Sequence, residues 1–175
     1  SIDVDPLVVN VWTQDFDLHS HSTHSDGLHE IELVAQKMKD ADVKVWSLTD
    51  HDTISGWNRA RIAAQERGIR FIPGVEITCL PGLQADRKEL ERLDRERAAK
   101  SWHLLAYFPN FEDSSDGSQE FQSWLQPLQD GRLPRMTKMV EKLCQLGMPI
   151  SLDSVLEKAS GSVGRPHLAE VMVEK

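Results

Sequence analysis

Three short apolar runs in the first half of the chain each lead into imidazole or carboxylate side chains. Phe16-Asp17-Leu18 runs into His19-Ser20-His21, and Val45-Trp46-Ser47-Leu48 into Thr49-Asp50-His51-Asp52. Ile69 to Ile72 is followed by Pro73-Gly74-Val75-Glu76. Between these runs lie helical patterns. Ile31, Val34, Met38 and Ala41 recur at helical spacing and predict a helix over residues 30–42. Gly56 to Glu66 reads as a second helix, closed by Gly68. Strand, helix, strand, helix, strand is the rhythm of an α/β fold with a parallel sheet or barrel. In such folds the chemistry gathers at the carboxyl ends of the strands. The three acid and imidazole clusters lie at those ends.

The remainder divides by composition. Residues 1–14 read as a leader or edge segment. Residues 82–100 carry Asp86-Arg87-Lys88-Glu89-Leu90-Glu91-Arg92 and read as a mixed-charge helix facing solvent. Trp102 to Tyr107 returns as a strand carrying His103, and residues 112–118 are polar and turn-rich. From 119 onward the pattern is helical: Met136, Met139, Val140, Leu143 and Leu146 mark one helix. Leu152, Val155, Leu156 and Ala159 mark another, with Ser151 placed as its N-cap. Gly161 to Gly164 forms a loop, and a last helix starts near Pro166.

The chain of 175 residues holds 28 acidic and 20 basic side chains, a net charge of −8. That balance argues against a broad nucleic-acid-binding surface, which needs Lys and Arg to neutralise phosphates. A phosphate ester handled here would need bound metal to supply much of the positive field. The two cysteines, Cys79 and Cys144, have no ligand spacing and fit a reducing, cytoplasmic setting. No apolar run is long enough to cross a bilayer. There is no Walker loop, dinucleotide glycine fingerprint or Gly-x-Ser-x-Gly nucleophile.

His19 and His21, one residue apart on a strand, project from the same side and suit one divalent ion. Asp26, in Ser25-Asp26-Gly27, is either a turn residue or a ligand carried back to the mouth of the first strand. His51 is a ligand candidate, with Asp50 or Asp52 fixing its second nitrogen. Asp52 or Thr53 could also cap the following helix. Glu76 follows an apolar strand, and a carboxylate buried there needs a cation. His103 is a core histidine or a further ligand. Arg165 and His167, at a helix start after a glycine loop, could meet an anion or cap the helix locally. His24 and His29 receive no role.

The set Asp17-Leu18-His19-Ser20-His21, Ser25-Asp26-Gly27, Leu48-Thr49-Asp50-His51-Asp52-Thr53, Ile72-Pro73-Gly74-Val75-Glu76-Ile77 and the later His103 resembles the polymerase and histidinol phosphatase (PHP) superfamily. Gly164-Arg165-Pro166-His167-Leu168-Ala169 is similar to the branch that acts on nucleotides and RNA 5′ ends. The resemblance implies a distorted seven-stranded βα barrel, TIM-like, with a centre of up to three divalent ions, manganese first and zinc or iron as alternatives. It implies that His19 and His21 hold one ion, that Glu76 bridges to a second shared with His103, and that Asp26 and His51 serve a third. Asp50 and Asp52 would orient His51, and Arg165 and His167 would face the substrate. Residues 1–118 would form the first part of the barrel, with 82–100 inserted, and 119–170 a helical insertion over the site. The family continues with an Ala-His-Pro strand and a Ser-Asp-x-His strand, so the barrel is expected to extend beyond residue 175. The activity implied is hydrolysis of a nucleotide phosphate or short RNA by a hydroxide activated at the metals. A histidinol-phosphatase-like enzyme and a non-catalytic, metal-stabilised module of a larger polymerase-like protein are the alternatives.

Overall fold

The structure, a computed structural model, describes residues 15–79, 102–109 and 115–174. The expected leader (1–14) and mixed-charge helix (82–100) lie outside the described residues. Eleven elements follow one another among them: β1 (Phe16–Ser20), α1 (Ile31–Asp40), β2 (Val45–Leu48), α2 (Trp57–Glu66), β3 (Arg70–Phe71), β4 (Gly74–Cys79), β5 (Trp102–Tyr107), α3 (Ser115–Asp130), α4 (Arg132–Gln145), α5 (Leu152–Lys158) and α6 (Arg165–Val173).

The first three strands form a parallel sheet in the order β1-β2-β3, as the βαβ rhythm requires. The pairing of β3 is short. Arg70 and Ile72 donate to the Lys44 and Trp46 carbonyls at 2.9 and 2.8 Å, and the next residue in that alternation, Gly74, already belongs to β4. The chain steps away, and β4 pairs instead with β5 in an antiparallel ribbon, Glu76 opposite Leu105 and Thr78 opposite His103. A parallel bridge between His51 and Glu76 joins the two sheets. Its hydrogen bonds run from Asp52 N–H to the Glu76 carbonyl and from Glu76 N–H to the Asp50 carbonyl, at 3.0 and 3.2 Å. The fold is therefore α/β, but the described residues form two small sheets and not a closed seven-stranded barrel.

Three apolar clusters hold the elements. Ile31, Val34 and Met38 of α1 and Ala60 and Ala64 of α2 pack on Trp46 and Leu48 of β2. Of the helical repeat read from the sequence, Ile31, Val34 and Met38 face the first sheet, while Ala41 is exposed at the C-cap. Burying each large side chain of this kind contributes about 1.5–3 kcal/mol. Val75 and Ile77 of β4 pack with Trp57 and Leu125, which seats α3 on the second sheet. The Trp57 Nε1–H donates to the Gly74 carbonyl at 2.7 Å across the same contact. Met136, Val140, Ile150, Val155, Leu168 and Val171 form a separate core among α4, α5 and α6.

Several boundaries differ from expectation. α3 begins at Ser115, inside the stretch read as turns. α2 starts at Trp57 with Gly56 as N-cap, so neither Asp52 nor Thr53 caps it. Ser151 does occupy the N-cap of α5, but its side chain makes no capping bond. Gly68, at φ +69°, ends α2 in the left-handed region that favours glycine.

Candidate metal centre

Alternation along β1 sends His19 to the mouth of the sheet, and His21 follows it on the same side. His51 comes from the loop after β2, Glu76 from the bridge position on β4, and His103 from β5, diagonal to Glu76 across the ribbon. These four imidazoles surround one carboxylate. His19 Nε2 and His21 Nε2 lie 2.8 and 3.0 Å from Glu76 Oε2. His103 Nδ1 lies 2.6 Å from Glu76 Oε1, and His51 Nδ1 lies 3.9 Å from Oε2. On the far side, Asp26 places Oδ1 3.8 Å from His21 Nδ1 and Oδ2 3.6 Å from His51 Nε2. Three triads result: His19, His21 and Glu76; His21, Asp26 and His51; His51, Glu76 and His103. His21, His51 and Glu76 are each shared between two of these triads, whereas the sequence expectation assigned His21 and His51 to one ion each.

The donor atoms fit divalent ions. Two atoms each bound ~2.1 Å from one ion are about 3.0–3.5 Å apart at tetrahedral to octahedral angles, close to the separations observed. His21 Nδ1 and His51 Nδ1 are buried with no hydrogen-bond partner. An orphaned buried polar atom costs about 1–3 kcal/mol, a cost that coordination would remove. Burial, and then the nearby Arg132 cation, push the His51 pKa down to about 4, so at neutral pH its lone pair is available. Burial alone would raise the Glu76 pKa, but hydrogen bonds from His21 and His19 outweigh it and hold the carboxyl well below its usual range. For His21, burial works against the charged form, while the Glu76 hydrogen bond and the Asp26 charge more than offset it and raise the pKa.

Asp50 and Asp52 do not orient His51. Asp50 accepts from Ser22 N–H at 2.7 Å, Ser22 Oγ at 2.6 Å and Ser25 Oγ at 2.6 Å, so it ties down the turn that carries Asp26. Its pKa is raised by burial, against the pull of those donors. Asp52, at φ +55° and fully buried, accepts from Thr78 N–H and Thr78 Oγ1 at 2.6 and 2.8 Å and from Arg132 Nε at 2.8 Å. Both carboxylates face the scaffold because local backbone and hydroxyl donors saturate them. His167 is likewise a local cap: its Nδ1 accepts from Gly164 N–H at 3.0 Å, and the ring is buried. Burial lowers its pKa.

A cavity of about 230 Å³ opens beside the triads, lined by Asp26, His51, His103, Arg132, Arg135 and Arg165, with Met136, Met139 and Val163 as its apolar wall. Arg165, read from the sequence as facing the substrate, lines this cavity. Arg132 and Arg135 are additions that the sequence reading passed over. Their signal was present: two arginines three apart at the start of α4 share a face with Met136 and Met139. Burial, and then the charges of Arg165 and Arg132, lower the Arg135 pKa, as expected where like cations converge.

Comparison with known proteins agrees with this architecture. The profile of the PHP domain matches residues 17–121, and the chain belongs to that family. A curated relative, a 5′-3′ exoribonuclease from Haemophilus influenzae, is 31% identical over 162 residues, covering 93% of this chain and 52% of the relative. The 5′-3′ exoribonuclease Rnm of Salmonella typhimurium is 28% identical over 162 residues, covering 91% and 48%. A 3′,5′-nucleoside bisphosphate phosphatase from Chromobacterium violaceum is 40% identical over 62 residues, covering 35% of this chain and 22% of its own length. The chain therefore spans about half the length of the curated relatives it matches most extensively. Among solved structures, a Bifidobacterium adolescentis protein titled as a metal-dependent phosphoesterase superposes with a TM-score of 0.68 at 28% identity, covering 91% of this chain and 49% of that one. An amidohydrolase from Chromobacterium violaceum, solved with bound sulfate and no metal, gives 0.70 at 25% identity, covering 91% and 50%.

Proposed function

We propose that the full protein is a metal-dependent phosphoesterase that hydrolyses phosphate esters of nucleotides or RNA 5′ ends. One observation carries the reading: four imidazoles gather around a buried glutamate, with Asp26 beyond two of them, beside a cavity with three arginines on its wall. The names of the curated relatives support the substrate class. His19, His21, Asp26, His51, Glu76 and His103 would hold divalent ions, manganese first. Such ions supply Lewis acidity toward phosphate oxygens and lower the pKa of a bound water toward ~7. Glu76, ionised and with its two oxygens facing His19 and His103, would hold two ions in this reading. His51, neutral at pH 7, would offer one ring nitrogen to an ion while the other carries the proton. Arg165, Arg135 and Arg132 would bind and orient the phosphate oxygens. Met136 and Met139, on the same helix face as Arg132 and Arg135, would exclude water from the cavity.

In this proposal the two described sheets begin the seven-stranded barrel and residues 119–170 form the helical cover over its mouth. No helix among the described residues is long and apolar enough to cross a membrane. The two unpaired cysteines fit a cytoplasmic setting.

The test is hydrolysis of a 5′-phosphorylated oligonucleotide and a panel of nucleotide phosphates by the full protein with Mn²⁺. His19→Ala and Glu76→Ala should each lower turnover by at least about 100-fold, the upper end of what loss of a supporting contact to a metal ligand costs. Turnover unchanged in both variants would reject the assignment. The comparison of mononucleotide with oligonucleotide decides between phosphatase and exonuclease action.

A further inference from the structure

Gly164 precedes α6, and its backbone does not explain why it is glycine. Its φ of −133° and ψ of 173° are open to any residue. The space explains it. A Cβ at position 164 would stand 2.5 Å from Asp26 Oδ2, 2.6 Å from Asp26 Cβ and 3.0 Å from Asp26 Cγ. Rotating the carboxylate would not relieve the overlap, because the Asp26 Cβ is itself one of the colliding atoms. The turn that carries Asp26 has little room to retreat. Asp50 holds it through Ser22 and Ser25. Gly27 folds back so tightly that a Cβ there would lie 2.5 Å from the His21 carbonyl carbon. Gly161 closes the same loop from the other end, where a Cβ would meet the Thr23 and His24 carbonyl oxygens at 2.6 Å.

We infer that Gly164 is a positioning residue for Asp26. The loop from Gly161 to Gly164 presses on the Asp26 turn and sets the carboxylate between His21 and His51. The helical half of the chain thereby completes a triad whose other members come from the strand half. Arg165 follows directly and lines the same cavity, so one loop places both a cation-facing carboxylate and an anion-facing guanidinium. This rests on the metal reading above, with Asp26 as a ligand.

The experiment compares the full protein with Gly164→Ala, Asp26→Asn, Asp26→Gly and the double variants. Mn²⁺ uptake is counted by elemental analysis after equilibrium dialysis, and Tm is measured separately in EDTA. Gly164→Ala should weaken one Mn²⁺ equivalent by at least about 10-fold, the scale on which a displaced supporting group acts, and leave the others bound. Asp26→Asn should remove the same equivalent, and adding Gly164→Ala to it should remove nothing more. In EDTA, Gly164→Ala should lower Tm, and Asp26→Gly in that background should restore part of the loss, because the colliding side chain is gone. That recovery also identifies the contact if Gly164→Ala folds too poorly to be loaded with metal. Wild-type uptake by Gly164→Ala, or loss of every equivalent at once, would overturn the inference, as would additive Tm losses in EDTA. A wild-type protein that takes up no Mn²⁺ would overturn the metal reading itself, and with it the role of Asp26 as ligand. The EDTA cycle reads the Gly164–Asp26 contact independently of that outcome.

Discussion

Replacing Arg132 with methionine should destabilise the protein by an amount that the geometry around Asp52 sets. Asp52 is fully buried, and Arg132 Nη2 lies 2.7 Å from its Oδ2. Removing one member of a buried pair typically costs about 3–5 kcal/mol, because the other charge is left without its partner. Thr78 still supplies two donors to Asp52, at 2.6 and 2.8 Å, so the lower end of that range applies. At roughly 2–4 °C per kcal/mol for a chain of this size, ~3 kcal/mol corresponds to a Tm loss of about 6–12 °C. Urea denaturation of Arg132→Met, Asp52→Asn and the double variant gives the coupling energy directly, and it should reach at least about 1 kcal/mol. A second readout is local. Arg132 helps hold the His51 pKa down at about 4, so its removal should raise the value seen by NMR in the metal-free protein. A cost under ~1 kcal/mol, the range of exposed ion pairs, would refute the claim that this pair anchors α4 to the strands that carry the imidazole cluster. So would a double variant whose losses simply add.

Other perturbations separate the centre from its supports. Glu76→Gln keeps the shape and removes the shared charge, so Mn²⁺ affinity measured by calorimetry should fall by at least about 100-fold; a smaller change would show that the carboxylate does not bridge. Ser25→Ala removes a donor to ionised Asp50 and should cost about 1.5–3 kcal/mol at neutral pH in urea titrations. The sign with pH follows from the raised Asp50 pKa. Stability from that group is present below the unfolded carboxylate pKa and is lost as pH rises through the folded value. The lost serine donor opposed that shift, so the cost of Ser25→Ala should shrink toward acid. A cost independent of pH would assign Ser25 a role unrelated to Asp50.

Most of the residues that converge on Glu76 carry their own local signal in the sequence. His19 and His21 show strand alternation, His51 follows an apolar run, and Glu76 and His103 lie within strands where an unpaired charge or imidazole needs an explanation. The helical repeats of α1 and α4 were legible for the same reason, since period alone identifies the buried face. What escaped was decided by groups distant in sequence. Asp50 and Asp52 flank His51, which suggested that they orient it, but donors from Ser22, Ser25, Thr78 and Arg132 claimed them instead. The antiparallel turn of β5 against β4 escaped because period 2 carries no direction. Arg132 and Arg135 escaped because a surface helix and a pocket wall present the same repeat until the opposite wall is known.

The chain's acidity and its proposed substrate seem opposed only when charge is averaged over the whole molecule. A net charge of −8 repels polyanions at long range, but the field inside a 230 Å³ cavity is set by the groups on its wall. Arg132 pairs with Asp52, and Arg135 has its pKa lowered by burial and by the two neighbouring arginines, against the pull of Asp52. Such a group gains when an anion arrives, because the anion offsets both the repulsion and the lost hydration. Inorganic phosphate should therefore stabilise the metal-free protein. With a Kd of ~1 mM, 10 mM phosphate would add about 1.4 kcal/mol, a Tm rise of about 3–6 °C at the scale used above. Arg135→Gln at matched ionic strength should lose most of that rise, while chloride should give none in either protein. An equal rise in wild type and variant would mean that phosphate acts through general exclusion from the surface, and the arginine wall would then have no part in holding the substrate.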